Sequence, residues 1–217
     1  MASHIIALDC DGVLLDYDRA YASAWQRAFG EFPREVEPLA YWPLQRWGVR
    51  RVVGQELERF RAAFDERFWS GLPAVPGARQ ACERLCDAGF ELACVTALPP
   101  HLAEARRKNL GSLGFPAMRV ITTGYTRGDV SPKAAALAAL AALAPVAFVD
   151  DYLPYLFGVD RSIHCALIMR GPIGTPNAGP RLALAHSQHA DLSAFAAWWL
   201  GPAGGLARPA GPDSSRG

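Results

Sequence analysis

The chain has 217 residues, 51% of them hydrophobic and 20% charged. This suits one α/β domain with an insertion, or two small domains, and excludes a disordered or fibrous chain. The 22 basic and 21 acidic residues leave a net charge of +1, which removes any global electrostatic drive toward a nucleic acid polymer or an anionic membrane. Among the basic residues only Lys108 and Lys133 are lysines, and the other twenty are arginines. With abundant alanine, this composition suggests a GC-rich bacterial genome, so each lysine merits inspection. Met1 leads almost at once into the apolar run His4-Ile-Ile-Ala-Leu-Asp9, with no basic leader before it. The uncharged run Ala134 to Val149 is shorter than the roughly 18–20 residues of a membrane span and contains Pro145. The expectation is a soluble, cytoplasmic protein. Cys10, Cys82, Cys86, Cys94 and Cys165 show no CxxC or mixed Cys/His ligand spacing, which predicts reduced thiols.

Apolar, β-rich runs end at a polar or acidic residue at His4–Asp9, Glu91–Thr96, Met118–Thr122 and Val146–Asp150, and a fifth covers Ile163–Met169. Near-continuous apolar runs of this length fit strands buried on both faces of a parallel sheet. Helical patterns lie between them: Gly77 to Ala88 before Gly89, His101 to Leu110 before Gly111, and Lys133 to Ala144 before Pro145. The alternation predicts a doubly wound, Rossmann-like α/β sheet. One interval is too long. About eighty residues separate Asp9 from Glu91, whereas a βαβ unit takes about thirty. Residues 17–75 therefore read as a small helical module, with helices over Tyr21–Phe29 and Val53–Trp69. The core is assigned to 1–16 and 76–200, and the Gly/Pro/Ser-rich tail 201–217 is expected to be disordered.

Ligands of an open parallel sheet bind beyond the carboxyl ends of its strands. Asp9 and Asp11 stand there after the first strand, on the same side of an extended segment. Two close carboxylates need a cation or a shared proton, and a divalent metal is the economical solution. Asp150 and Asp151 deliver further carboxylate to the same crevice, and oxygen-only ligands favour Mg²⁺. Thr96 ends the second strand with a hydroxyl, and the amide of Ala97 follows. Lys133 opens a helix whose N-cap is Ser131 and whose N1 is Pro132. Hydroxyl, ammonium and helix N-terminus together suit a phosphate group.

Taken in order, Asp9-x-Asp11-Gly-Val-Leu, the run to Thr96, Lys133 and the run to Asp150-Asp151 resemble the four signature segments of the haloacid dehalogenase superfamily. The resemblance spans about residues 4–195, and the insertion sits where that family places a C1 cap. It implies a sheet with the first strand central, with Asp9 as nucleophile and Asp11 as general acid and base. It further implies Mg²⁺ held by Asp9, the backbone carbonyl of Asp11 and Asp150 or Asp151, and phosphoryl oxygens held by Thr96, Ala97 and Lys133. Asp at position 11 matches family members that act on phosphate and not the dehalogenases. The implied activity is phosphatase action on a small phosphorylated metabolite. A phosphomutase, a phosphonatase, another phosphotransferase or a non-catalytic binding protein of the same fold are the alternatives. Family forms commonly place another acidic residue about four positions after the last motif, where this chain has Pro154 and Tyr155. The reading leans to Asp150 as the direct metal ligand, with Asp151 acting through water or orienting Lys133.

Other residues have plainer readings. Lys108 pairs with Glu104 at i, i+4 on a solvated helix face, Cys10 is a buried small residue, and His186 and His189 are satisfied or surface histidines. The tryptophans of the module, Trp25, Trp42, Trp47 and Trp69, supply a core of its own. A sharper alternative has Tyr41, Trp42, Arg46 and Trp47 bordering the site. The segments Gly124-Tyr125-Thr126-Arg127 and Arg170-Gly171 are further candidates for its border.

Overall fold

A computed structural model describes residues 4–125, 129–140, 145–202 and 204. Six strands, β1 (Ile5–Leu8), β2 (Glu91–Thr96), β3 (Arg119–Thr122), β4 (Pro145–Asp150), β5 (His164–Ile168) and β6 (Ser187–His189), form one all-parallel sheet in the order β3-β2-β1-β4-β5-β6. The first strand is central, and the order reverses around it. Alternation sorts β1 between two cores: Ile6 and Leu8 face one, Ile5 and Ala7 the other. The first core also takes α5 (Ala78–Asp87), α6 (Ala103–Ser112) and α8 (Leu192–Leu200), and the second takes α7 (Pro132–Ala139). With helices on both faces, the sheet is doubly wound as expected.

Between β1 and α5 lie α1 (Tyr17–Phe29), α2 (Pro43–Arg46), α3 (Gly54–Ala62) and α4 (Glu66–Trp69). The single helix expected over Val53–Trp69 is two, because the Asp65 side chain accepts the amide of Phe68 and starts a new helix there. Helix α1 begins four residues earlier than expected, where Asp16 caps it through the Arg19 amide at 2.9 Å. Helix α6 runs through Gly111 to Ser112, so that glycine is no stop signal, whereas Gly89 does follow the end of α5 with φ +90°. Residues 141–144 and most of the 201–217 tail lie outside the described residues. Strand β6 was not anticipated; its polar Ser-Gln-His sequence carries no apolar signal.

The tryptophans do not build a separate core. Trp25, Phe60, Phe68 and Trp69 belong to the same apolar cluster as Ile6 and Leu8 of the sheet, so the inserted helices share the core of the α/β layer. Trp25 and Phe60 rings meet at 5.3 Å and Phe64 and Phe68 at 4.6 Å, within the range of favourable aromatic pairs. All five cysteines are free, and four of them are buried. No helix among the described residues is long and apolar enough to cross a membrane.

His164, His186 and His189 are satisfied. His186 Nδ1 accepts the Cys165 amide at 2.8 Å, and His164 and His189 both direct Nε2 to the Ser187 hydroxyl at 2.8 Å. His164 also packs between His186, Trp198 and Trp199. Burial, reinforced by His186 and His189, pushes His164 down to about 4 from an ordinary 6.5. The folded state therefore binds fewer protons than the unfolded chain between these values, and the contribution of His164 is complete above pH 6.5 and lost toward pH 4. Against a His164→Gln variant, the stability advantage of the parent, measured by urea unfolding, should grow from pH 4 to 6.5 and then level off. A difference that stays flat across this window would contradict the assignment.

Candidate active site

The carboxyl ends of β1, β2 and β4 converge where the strand order reverses. A cavity of about 520 Å³ opens there, with Asp9, Asp11, Thr96, Ala97 and Asp151 in its wall. Ser131 and Pro132, at the start of α7, line it as well. Lys133 and Asp150 lie behind the floor, fully buried. The Lys133 ammonium is 2.6 Å from Asp9 Oδ1 and 2.7 Å from Asp150 Oδ2. Ser131 caps α7 by accepting the Lys133 amide at 3.1 Å, as the Ser-Pro-Lys order suggested. The Tyr155 ring stands 4.3 Å from Nζ, on the segment where an acidic residue is common in the family. An aromatic face thus supplies negative potential to the ammonium there.

The two motif aspartates that end β4 have different partners. Asp150 takes Lys133 on Oδ2 and the Tyr152 amide on Oδ1 at 2.9 Å. Asp151 lines the cavity, and its Oδ2 accepts from Arg170 Nε and from the Tyr41 hydroxyl at 3.4 Å. The expectation that Asp151 orients Lys133 is therefore corrected: Asp150 does so. Its carboxylate is turned inward, whereas Asp151 is turned to the crevice. One oxygen each from Asp9, Asp150 and Asp151 lie within 4.8 Å of one another, an oxygen-only set that fits a hard divalent cation. Asp11 is not in that set. Its carboxylate is held by Arg106, whose Nη2 donates to Oδ1 at 2.7 Å and to Oδ2 at 3.0 Å. The repulsion between Asp9 and Asp11 is thus met by two protein cations, Lys133 for one and Arg106 for the other.

Burial sets the titration of this cluster. It pushes the Asp9 carboxyl up to about 6 against the pull of Lys133, and raises Asp150 well above the carboxylate range against the same pull. Burial also raises Asp11, opposed by Arg106. For Lys133, burial works against the charge, but Asp150 and Asp9 hold the ammonium above its ordinary range. It stays protonated.

The inserted helices are fastened to the core along two sides of the cavity. On the β5 side, Arg170 reaches Asp18 at 2.8 Å and lies 4.4 Å from the Tyr41 ring centroid, while Ile173 pairs its backbone with Leu39 and Tyr41. A Cβ on Gly171 would stand 2.7 Å from Tyr41 Cα, so only glycine permits this approach. On the α6 side, the Asn109 side chain binds both the amide and the carbonyl of Leu72, at 3.0 and 2.8 Å. Lys108 is 3.4 Å from Glu66 of α4, and Glu104 pairs with Arg107, so the predicted Lys108–Glu104 pair is not formed.

Among the candidates for the border, Tyr41, Trp42, Tyr125 and Arg170 line the cavity. Arg46 and Trp47 do not: Arg46 pairs with Glu35 at 2.6 Å, and Trp47 is buried with its indole donating to the Asp18 carbonyl. Thr126 and Arg127 lie outside the described residues. Sequence reasoning missed Tyr17, Trp69 and Tyr152 in the wall, and Arg106 and Asn177 behind it. Asn177 accepts the Leu153 amide and donates to the Asp151 carbonyl, holding the turn that presents Asp151. The missing acidic residue at Tyr155 was a usable signal, because the lysine needed some other neighbour.

A family model for haloacid dehalogenase-like hydrolases matches residues 4–153. The chain belongs to that family. The chain is also 36% identical over 99 residues to a "Putative 5'(3')-deoxyribonucleotidase" of Chlorobaculum tepidum, and 31% over 90 residues to one of Bordetella pertussis. These matches cover 43% and 41% of the chain and 46% of each relative, so the chain spans about half the length of the curated relatives it matches. In fold it is similar to a HAD family hydrolase of Deinococcus radiodurans, with a TM-score of 0.58 at 18% identity over 95% of this chain and 96% of that one. A "putative beta-phosphoglucomutase" of Thermotoga maritima aligns with a TM-score of 0.53 at 20% identity, covering 88% and 95%.

Gly12 makes the turn that separates Asp11 from the following segment, with φ +90°. A Cβ there would overlap Asp151 Oδ2 and stand 2.6 Å from Arg170 Nε. Gly89 has the same φ with nothing within 4 Å of its Cβ position, which makes it the matched control. Gly89→Ala should cost about 1–2 kcal/mol from backbone strain alone, read as a lower melting temperature. Gly12→Ala should cost more, because it must also displace Asp151 and Arg170, and so should lower the melting temperature further than Gly89→Ala.

Proposed function

We propose that the hydrolase is a Mg²⁺-dependent phosphatase that cleaves a small organic phosphomonoester through an aspartyl-phosphate on Asp9. The observation that carries this reading is the placement of Asp9, exposed to the cavity on one side and bound to the Lys133 ammonium at 2.6 Å on the other. Thr96 and Ala97 line the same cavity. A cavity of this size suits a metabolite and not a polymer, and the names of the curated relatives support including a nucleoside monophosphate among the esters to test. The inserted helices at 17–75 act as a C1 cap that completes the wall.

In this reading an Asp9 carboxylate oxygen forms a bond to phosphorus as the ester P–O bond breaks, and Asp11 delivers a proton to the departing oxygen. Asp11 then takes a proton from the water that attacks phosphorus, releasing phosphate and restoring Asp9. Lys133 balances charge on Asp9 and fixes its orientation, with Asp150 as its counter-anchor. Thr96 and the Ala97 amide hold phosphoryl oxygens. Asp9, Asp151 and the Asp11 carbonyl would hold Mg²⁺, with Asp150 next to them, and the ion would neutralise charge on the transferring group.

A panel of phosphorylated metabolites, nucleoside monophosphates included, should show phosphate release with Mg²⁺ that EDTA abolishes. Asp9→Asn should lower kcat at least about 10³-fold, the scale lost with a catalytic nucleophile. Phosphate release that persists in Asp9→Asn would remove Asp9 from the role of nucleophile.

A further inference from the structure

We infer that Arg106 is a positioning residue for the reaction, setting the carboxylate of Asp11 against the cavity wall; this rests on the acid–base reading of Asp11 given above. Arg106 is fully buried on α6, and one of its nitrogens, Nη2, contacts both oxygens of Asp11. Two contacts from one nitrogen draw both oxygens of the carboxylate to the guanidinium and fix its position on that side of the cavity. The guanidinium lies 5.5 Å from the centroid of the Trp69 ring, which itself lines the cavity and stacks on Tyr17 at 6.3 Å. Arg106 therefore joins a wall of the cavity to the acid–base group.

As a purely structural element this arginine is a poor choice. Among the described residues its Nε and Nη1 are buried without a partner, and unpaired buried donors oppose folding. Its partner does not need it for solvation, since the Asp11 side chain keeps 28% exposure to the cavity. Nor does α6 depend on it for its seat, because Asn109 holds Leu72 from the same helix, one turn on. Breaking an ion pair from one side costs most where the group left behind is wholly buried, and Asp11 keeps its contact with the cavity. What Arg106 provides is alignment of Asp11, and proton transfer to the leaving oxygen depends on that alignment.

The test compares Arg106→Met and Arg106→Lys with Asp11→Asn, using the best-hydrolysed alkyl phosphomonoester of the panel and p-nitrophenyl phosphate. The alkyl ester needs a proton on its departing oxygen and the nitrophenyl ester does not, and kcat/KM reports the steps up to departure. Arg106→Met should remain folded, lose about 10²-fold in kcat/KM on the alkyl ester and lose far less on the nitrophenyl ester. Arg106→Lys should recover part of the alkyl activity. Asp11→Asn should show the same discrimination between the esters. If Asp11→Asn discriminates while Arg106→Met loses both activities equally, or neither, the inference about Arg106 fails and the reading of Asp11 stands. If Asp11→Asn does not discriminate, the acid–base reading fails and the inference falls with it.

Discussion

The Lys133 ammonium, with no solvent exposure and carboxylates at 2.6 and 2.7 Å, is the interaction on which the rest of the site depends. It ties the end of β1, through Asp9, to the end of β4, through Asp150, and both to the first turn of α7. A cation at a helix N-terminus works against the helix dipole, and burial adds a desolvation cost. Two carboxylates and the faces of Tyr155 and Phe148 offset both. Losing one partner from such a buried group would leave an uncompensated charge, on the order of 3–5 kcal/mol. The position calls for a compact ammonium that two carboxylates can approach from different strands, which the planar fork of an arginine does not offer.

Charge compensation organises the remaining carboxylates in the same way. Each is assigned a protein cation: Arg106 for Asp11, Arg170 for Asp151, and Arg170 with Arg46 for Asp18. The net charge of +1 thus hides a dense set of opposite charges in one region. Asp9, Asp150 and Asp151 still outnumber the cations among them, since Arg170 is shared with Asp18 outside that set. A hard divalent cation would complete the balance. Burial, by raising Asp9 and Asp150, makes the balance more demanding than the same residues would be in water.

The same ion pairs link the inserted helices to the sheet. Arg170 and the backbone of Ile173 grip the segment around Tyr41, and α6 grips the segment around Trp69 and Leu72. The cavity has walls from both parts, and its aromatic lining comes largely from the insertion and the segment after β4. Because the apolar cluster of the insertion is continuous with that of the sheet, packing and site geometry are coupled. A change in one grip displaces a wall and a carboxylate together.

By itself, the sequence determined the doubly wound sheet, the long insertion after the first strand, and the strand-end placement of Asp9, Asp11, Thr96 and Asp150-Asp151. Apolar runs and their period state these features locally, and a parallel sheet carries strand ends to one edge. Lys133 was legible too, because Ser131 and Pro132 announce the helix start and lysine is scarce. Tertiary structure alone decided which carboxylate met which cation. Within Glu104-Ala-Arg-Arg-Lys108 nothing local separates Arg106 from its neighbours, and only the packing of α6 turns it inward to Asp11 while Arg107 and Lys108 stay at the surface. Asp150 and Asp151 are equally acidic in sequence. The backbone leaving β4 sends one side chain behind the floor to Lys133 and the other to the crevice and Arg170. Side-chain direction there depends on contacts between residues far apart in the chain, which no local pattern encodes.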